Sequence, residues 1–445
     1  MLGAALVTLA GFSWLFVLPL NFRGGSVSNP YIGLLVFIAI PIVFFAGLIL
    51  IPIGIALAKR KVTANLDGIE DRRTAWRRVG IFFGVMTVAN VVIASQLSYR
   101  AVEHMDTVQF CGQTCHVMKP EFTAHAAVPP HQAVACAVCH IAPGAEGWVK
   151  AKMNGTSQLM GVVFNNYPRP IESAMEDNKL VSSAETCEQC HERDKPTTPR
   201  LRVIPSYKDD QANTRTTTVL LMRIATIHAA HLGPGIRIRY SAADKKRQTI
   251  PAVEYANSQT GVSRTYLASG STADSVRSLP TFEMQCVDCH NRASHAFELP
   301  DRAVNQAMAS GQIAAGLPFV KKESVALLKT KDAQQIPGAL SAFYAMNYGD
   351  VAAKQGAAIQ AAGQALATIY QRNVFSDLKV TWGTYPNNLG HTDAPGCFRC
   401  HDEAHLTADK KTISQDCNLC HQPVAMDEAS PEILKTLELT PAQNH

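Results

Sequence analysis

The chain has 445 residues, with 41 Lys and Arg against 36 Asp and Glu and a net charge of +5 when histidine is neutral. That charge is mild and spread out, with no basic run interleaved with aromatics, so nucleic acid is not an expected partner. The length allows two or three domains, but apolar residues concentrate in the first hundred positions, which predicts a small membrane part carrying a large soluble one.

Met1–Phe22 is uncharged and apolar. It reads as a membrane span, because the basic start and small-residue cleavage site of a signal peptide are missing; a cleaved signal is the alternative. Tyr31–Ala58 is a second apolar run, and Pro41 and Pro52 are tolerable inside a membrane helix whose neighbours satisfy the freed carbonyls. The following stretch, 59–78, holds seven basic residues (Lys59, Arg60, Lys61, Arg72, Arg73, Arg77 and Arg78), whereas the connection before the run holds only Arg23. The positive-inside rule therefore predicts a cytoplasmic loop at 59–78. Val79–Tyr99, 21 residues without a charge, then leads out as a third span. Residues 1–99 are expected to anchor the chain in the lipid bilayer of a bacterial cytoplasmic (inner) membrane, with 100–445 on the periplasmic side.

The twelve cysteines form six close pairs, each followed directly by histidine. They are CGQTCH (Cys111, Cys115, His116), CAVCH (Cys136, Cys139, His140), CEQCH (Cys187, Cys190, His191), CVDCH (Cys286, Cys289, His290), CFRCH (Cys397, Cys400, His401) and CNLCH (Cys417, Cys420, His421). C-x-x-C-H is the attachment pattern of c-type haem, in which two thiols bond covalently to the macrocycle and the histidine ligates iron. A disulfide scaffold would not need histidine after every second cysteine, and zinc sites would not need six like pairs. Six covalently bound haem c groups are therefore expected. The first pair has three residues between its thiols, which leaves a disulfide or a reactive dithiol as the alternative there. Haem c is attached outside the cytoplasm, in agreement with the orientation read from charge.

The soluble part divides unevenly. Only 117–135 separates the first two motifs and 402–416 the last two, too little chain for independent domains. Between His191 and Cys286, Ile236–Tyr240, Ile250–Tyr255 and Val262–Leu267 alternate like strands, the last two joined by a turn-rich NSQTG, which predicts a small β-hairpin insertion at about 200–280. Between His290 and Cys397 the pattern is helical over Arg302–Met308, Val320–Lys329, Leu340–Met346 and Ala352–Arg372, the last with Ile359, Ala362, Leu366 and Ile369 on one face. This gives a helical block at about 300–375. The expected fold is mainly α: N-terminal transmembrane helices, then an irregular, haem-packed domain with a small β insertion.

Motif histidines fill one axial position per iron, and nine histidines remain: His104, His125, His131, His228, His231, His295, His391, His405 and His445. His131, His295, His391 and His405 lie beside motifs and are expected to ligate, as is at least one of His228 and His231; His445 is expected to be free. His405 and His295 are too close to His401 and His290 to reach round the same macrocycle, so both are expected to serve neighbouring haems.

An apolar anchor, a first motif with Met118 two residues after its histidine, and a closely following CAVCH with WVKAKMNG downstream resemble the NapC/NirT family of membrane-anchored multihaem cytochromes. SYRAVEHMD, CGQTCHVMKPEF, YPRPI, CHNRASH, TYPNNLGHT and CFRCHDEAH resemble a larger six- or seven-haem subgroup, akin to inner-membrane cytochromes of metal-reducing bacteria. The simpler members have one span and four haems. The resemblance implies electron transfer from membrane quinol, menaquinol or ubiquinol, to a periplasmic cytochrome or reductase. It also implies Met118 as an axial ligand of the first haem, and Lys150, Lys152, Glu103 and Asp106 as candidates for handling the quinol's protons. Two other functions fit the same motifs: a terminal reductase of a small nitrogen compound with one open iron, and a conduit subunit without a quinol site. No motif ends in lysine and spare histidines are plentiful, which favours electron transfer over catalysis.

Overall fold

The computed structural model describes residues 2–22, 39–65, 69–114, 116–127, 129–176, 179–192 and 198–439. The start of the second apolar run, Arg23, the tip of the basic loop, Cys115 and His445 lie outside these residues. The chain divides into two compact units, Met1–Cys111 and Gly112–His445.

The first unit is helical: α1 (Leu2–Phe22), α2 (Ile40–Asn65) and α3 (Ile69–Met105). Stretches Ile40–Leu57 and Trp76–Met105 are long and apolar enough to cross a bilayer, and α1 is apolar over Leu2–Leu15. Side chains such as Ile49, Ile81, Val88 and Val91 point outward, which water would penalise and lipid does not. Helices α1 and α2 approach closely where both are small: a Cβ on Gly3 would lie 2.6 Å from the Gly47 carbonyl, and one on Gly47 2.8 Å from that of Gly3. Close backbone approach at small residues is how membrane helices gain packing energy where burial supplies none. Thr8 and Asn90, polar residues on α1 and α3, hydrogen-bond to each other at 3.0 Å. The basic stretch is helical on both sides of 66–68 rather than looped; Lys and Arg are good helix formers, so the positive residues sit on helix ends.

In the second unit, α4 (Lys119–Ala126) and α5 (Gly144–Val163) flank the second motif, and α6 (Ile224–Leu232) lies between the strands. Strands β1 (Arg200–Tyr207) and β2 (Arg215–Met222) form an antiparallel sheet with β7 (His421–Glu428), in the order β1-β2-β7. Strands β3 (Ile236–Ser241), β4 (Ala252–Asn257), β5 (Val262–Leu267) and β6 (Thr281–Glu283) form a second, in the order β5-β4-β3-β6. The β4–β5 hairpin turns through NSQTG, where Gly261 takes φ +69°. The β region is thus larger than one hairpin, and it recruits β7 from the far end of the chain.

The main apolar core lies in α7 (Pro300–Ala309), α8 (Val320–Thr330), α9 (Ile336–Asn347) and α10 (Gly356–Asn373). Ile359, Ala362, Leu366 and Ile369 form the buried face of α10, as their i, i+3, i+7 and i+10 spacing requires. The helical stretch from Ala352 breaks at Gln355 (φ −124°) before α10 begins. Leu366 is fully buried, so Leu366→Ala should lower the unfolding free energy by about 2–5 kcal/mol, read as a fall in denaturant midpoint at unchanged slope.

Candidate functional site

Each regular motif is one helical or 3-10 turn: Cys136–His140, Cys187–Gln189, Cys286–Cys289, Gly396–Arg399 and Cys417–Leu419. The turn closes by histidine N–H donating to the first cysteine carbonyl in three of them, His191 to Cys187 (2.9 Å), His290 to Cys286 (2.8 Å) and His401 to Cys397 (3.0 Å). One turn places residues i, i+3 and i+4 on one face, so both thiols and the imidazole present together. Among the described residues no two cysteines form a disulfide.

Five motif histidines face a second histidine. Ring centres are 6.3 Å apart for His140 and His295, 6.2 Å for His131 and His191, 6.3 Å for His228 and His290, 5.8 Å for His231 and His401, and 6.1 Å for His391 and His421. Two iron–nitrogen bonds of about 2 Å, plus about 1 Å from each nitrogen to its ring centre, span about 6 Å. The separation therefore fits one iron held from both faces. His295 faces the second motif and not its neighbour His290, while His228 and His231, one turn apart on α6, face the fourth and fifth motifs. Among the described residues no group of three or more His, Cys, Asp or Glu could chelate a bare ion; opposed imidazoles beside paired thiols suit an iron whose other four ligands come from a macrocycle.

Nδ1 atoms are tied back to protein, which aims Nε2 at the gap. His131 Nδ1 bonds the Ala293 carbonyl (3.0 Å), His231 that of Ile227 (2.7 Å) and His401 that of Ser414 (2.7 Å). His295 Nδ1 lies 3.0 Å from Glu121 Oε2. Burial, and then the facing histidine, push the imidazoles of His140, His290 and His421 below their usual pKa. For His231 burial does the same, against the hydrogen bond to Ile227. The neutral ring so favoured is the form that binds metal.

The thiols order the motifs in space. Burial raises the Cys139 thiol pKa, and neighbouring Cys187 and Cys190 add to it. Cys187 and Cys286 share a hydrogen bond. Burial, then nearby Cys397, pushes Cys289 to about 11, and burial followed by Cys397 raises Cys420. The second to sixth motifs are therefore neighbours in sequence order, a row of adjacent sites.

His405 departs from the expected ligand set. It is buried, with Nδ1 2.8 Å from Asp402 Oδ1 and Nε2 2.7 Å from the Ile250 carbonyl. Both partners are acceptors, so both nitrogens are spent and neither is available to iron; the residue ties the CHDEAH turn to the start of β4. Met118 packs against an apolar cluster of Val117, Phe375, Leu378, Val380 and Tyr385. The side chain of His116, like Cys115, lies outside the described residues. Lys150 pairs with Glu146 at 2.7 Å on the exposed surface of α5, and Lys152 lies over the Trp148 ring. Glu103 and Asp106 fall at the end of α3, Glu103 exposed and Asp106 half-buried.

Sequence reasoning missed the charged groups that brace the motifs. Asp288, inside CVDCH, is buried and accepts from the Tyr240 hydroxyl and from Arg247 Nη1 at 3.3 Å. Arg399, inside CFRCH, donates to the Asp288 carbonyl at 2.6 Å, which joins the fourth motif to the fifth. A carboxylate and a guanidinium at spacer positions were the available signal. Burial alone would raise the Glu121 carboxyl, yet the hydrogen bond and charge of His295, then Arg292, hold it below the usual range.

Glu121→Gln weakens the acceptor behind His295 and makes that imidazole a poorer donor to iron. One midpoint potential should rise by about 65–130 mV, the one-electron equivalent of the about 1.5–3 kcal/mol that a hydrogen bond to a charged group contributes, with the other potentials unmoved in a spectroelectrochemical titration.

No protein-family model and no solved structure matches the chain. It is 37% identical over 429 residues to the cytochrome c-type protein ImcH of Geobacter sulfurreducens, an alignment covering 90% of this chain and 82% of that protein. With that identity across most of both chains, and with motifs that fit covalently bound haem c, this chain belongs to the ImcH family of multihaem c-type cytochromes.

Proposed function

We propose that the chain is a hexahaem electron-transfer protein of NapC/NirT type. In this reading residues 1–99 anchor it in the cytoplasmic membrane and 100–445 form the periplasmic haem domain. It takes electrons from quinol and delivers them to a periplasmic cytochrome or reductase. The observation that carries the reading is the five facing histidine pairs. When bound, haem supplies reversible one-electron chemistry at iron. The chain's part is to close both axial faces at five sites, which excludes small substrates there, and to set those sites side by side.

The first motif is the remaining one. His116 and Met118 share a single 3-10 turn, and two residues of chain cannot reach round a macrocycle to its opposite faces. In this reading the first haem takes one of them and leaves its other face to the donor. Quinol oxidation there releases two electrons and two protons; the carboxylates Glu103 and Asp106, at the end of α3, are the proposed proton acceptors, while Lys150, held as a cation by Glu146, and Lys152 would offer positive charge rather than accept a proton. A terminal reductase of a small nitrogen compound is the second reading, and the first motif is the position its open iron would occupy.

Intact mass and pyridine haemochrome should agree on six haems. A count of five with free thiols at Cys111 and Cys115 would remove the first site. The oxidised protein in nanodiscs should be reduced by a menaquinol or ubiquinol analogue; absence of reduction by both sinks the quinol reading and leaves the conduit. Met118→Leu keeps apolar volume and removes the thioether. If Met118 ligates, this variant should lower the highest haem potential and slow quinol-linked reduction, whereas an unchanged spectrum and rate would make it a packing residue. A reporter fused after residue 439 should be active only outside the cytoplasm; activity inside would overturn the orientation.

A further inference from the structure

Helix α5 is the reverse of a water-facing amphipathic helix. Gly147 is buried and Ala151 and Val162 are half-buried; a Cβ on Gly147 would fall 2.1 Å from the carbonyl of Ala142, just before the helix, so the first turn has room only for glycine there. The large apolar residues Trp148, Val149, Met153, Leu159, Met160 and Val163 are 40% to 70% exposed. At 3.6 residues per turn they fall within an arc of about 140°. The helix end is sealed: Asn165 takes φ +52°, and the Asn166 N–H donates to the Gly161 carbonyl at 2.7 Å, a closure that makes the stripe a preformed surface.

We propose that this stripe of α5 docks on a lipid bilayer, lying in its interfacial layer. Lys152 lies 5.5 Å over the Trp148 ring, and Lys150 is beside them with Glu146. Lys152 and Thr156 also fall within this arc, and a basic and aromatic end followed by a mainly apolar stripe is the chemistry of a helix that rests among headgroups with its apolar side in the acyl boundary. The chain brings the bilayer with it, since Ile40–Leu57 and Trp76–Met105 are suited to span one, and α5 begins only 39 residues after Met105 (144 minus 105). Tethering replaces a bimolecular encounter by a local one. A second copy is a poorer occupant: a face about 24 Å long and about 10 Å wide is far below the roughly 800 Å² per partner of a stable protein interface. The inference stands whether or not quinol is the donor.

The test uses the full haem-loaded chain in nanodiscs of phosphatidylethanolamine and phosphatidylglycerol, with a diazirine on the acyl chain, and maps carbene adducts by mass spectrometry. Adducts are expected on 148–163 as well as on 40–57. Adducts on 40–57 with none on 144–164, or chain-to-chain cross-links across the stripe with lipid adducts excluded, would overturn the proposal. Met153→Glu with Val163→Glu changes two exposed positions. This double variant should keep the haem spectrum and lose at least tenfold of the α5 adducts while 40–57 is labelled as before; labelling equal to the unchanged chain overturns the proposal too.

Discussion

Two imidazoles about 6 Å apart, one from a Cys-x-x-Cys-His turn and one from elsewhere, form the contact on which the second unit depends. Each of the five pairs joins segments that secondary structure alone leaves apart: His140 to His295, His131 to His191, His231 to His401. The sheets and helices deliver these rings. Strand β2 runs into α6 through Arg223, whose N–H donates to the Cys420 carbonyl at 2.9 Å, and β7 begins at His421 beside it. One short stretch thus fixes the sixth motif and aims His228 and His231 at two others. Paired rings of this kind, held together by a shared group, would close long loops, and groups that close long loops remove the most entropy from the unfolded chain.

Charge is used sparingly and locally around these rings. Neutral imidazoles are favoured because burial penalises the charged form, while full charges are admitted where a partner is present. Asp288 faces Arg247, and Glu121 faces Arg292 at 3.4 Å. A buried ion pair contributes little net stability against its desolvation, but breaking one leaves an uncompensated charge. Such pairs serve better as positional braces: Arg399 and Asp288 hold adjacent motifs in register, and Glu121 stands behind His295. Electron transfer between neighbouring sites is sensitive to spacing, so rigid bracing of the row serves the same end as the opposed rings.

The sequence made some of this visible and hid the rest for physical reasons. Motifs, apolar helices and the α10 face were legible because their signals are local, in fixed spacings and 3.6-residue periods. The hairpin at β4 and β5 was legible from alternation and its glycine turn. Strand β7 was not, since its residues are mostly exposed and do not alternate; it is a strand because β2 offers an edge. Which histidines face a motif histidine was half legible. Proximity to a motif pointed to His131, His295 and His391, which face other histidines, and equally to His405, whose nitrogens are taken by Asp402 and Ile250. Nothing in CHDEAH distinguishes these outcomes, because the deciding partner lies in another segment. The small side of α5 was hidden likewise: a helical wheel gives an apolar arc, but not whether that arc faces the core.

That last ambiguity has a physical resolution in how the helix is held. An apolar arc normally turns inward because burial is favourable by about 25 cal/mol per Å². Turning it outward requires a contact on the opposite side that only small residues can make, or a surrounding medium that is not water. For α5 the second condition is the one with support: Gly147 only makes room for the Ala142 carbonyl just before the helix, whereas the same chain carries apolar helices whose outward side chains call for lipid. On the docking proposed for α5, its exposed apolar arc and the exposed apolar side chains of the first unit would have the same physical cause, an apolar solvent.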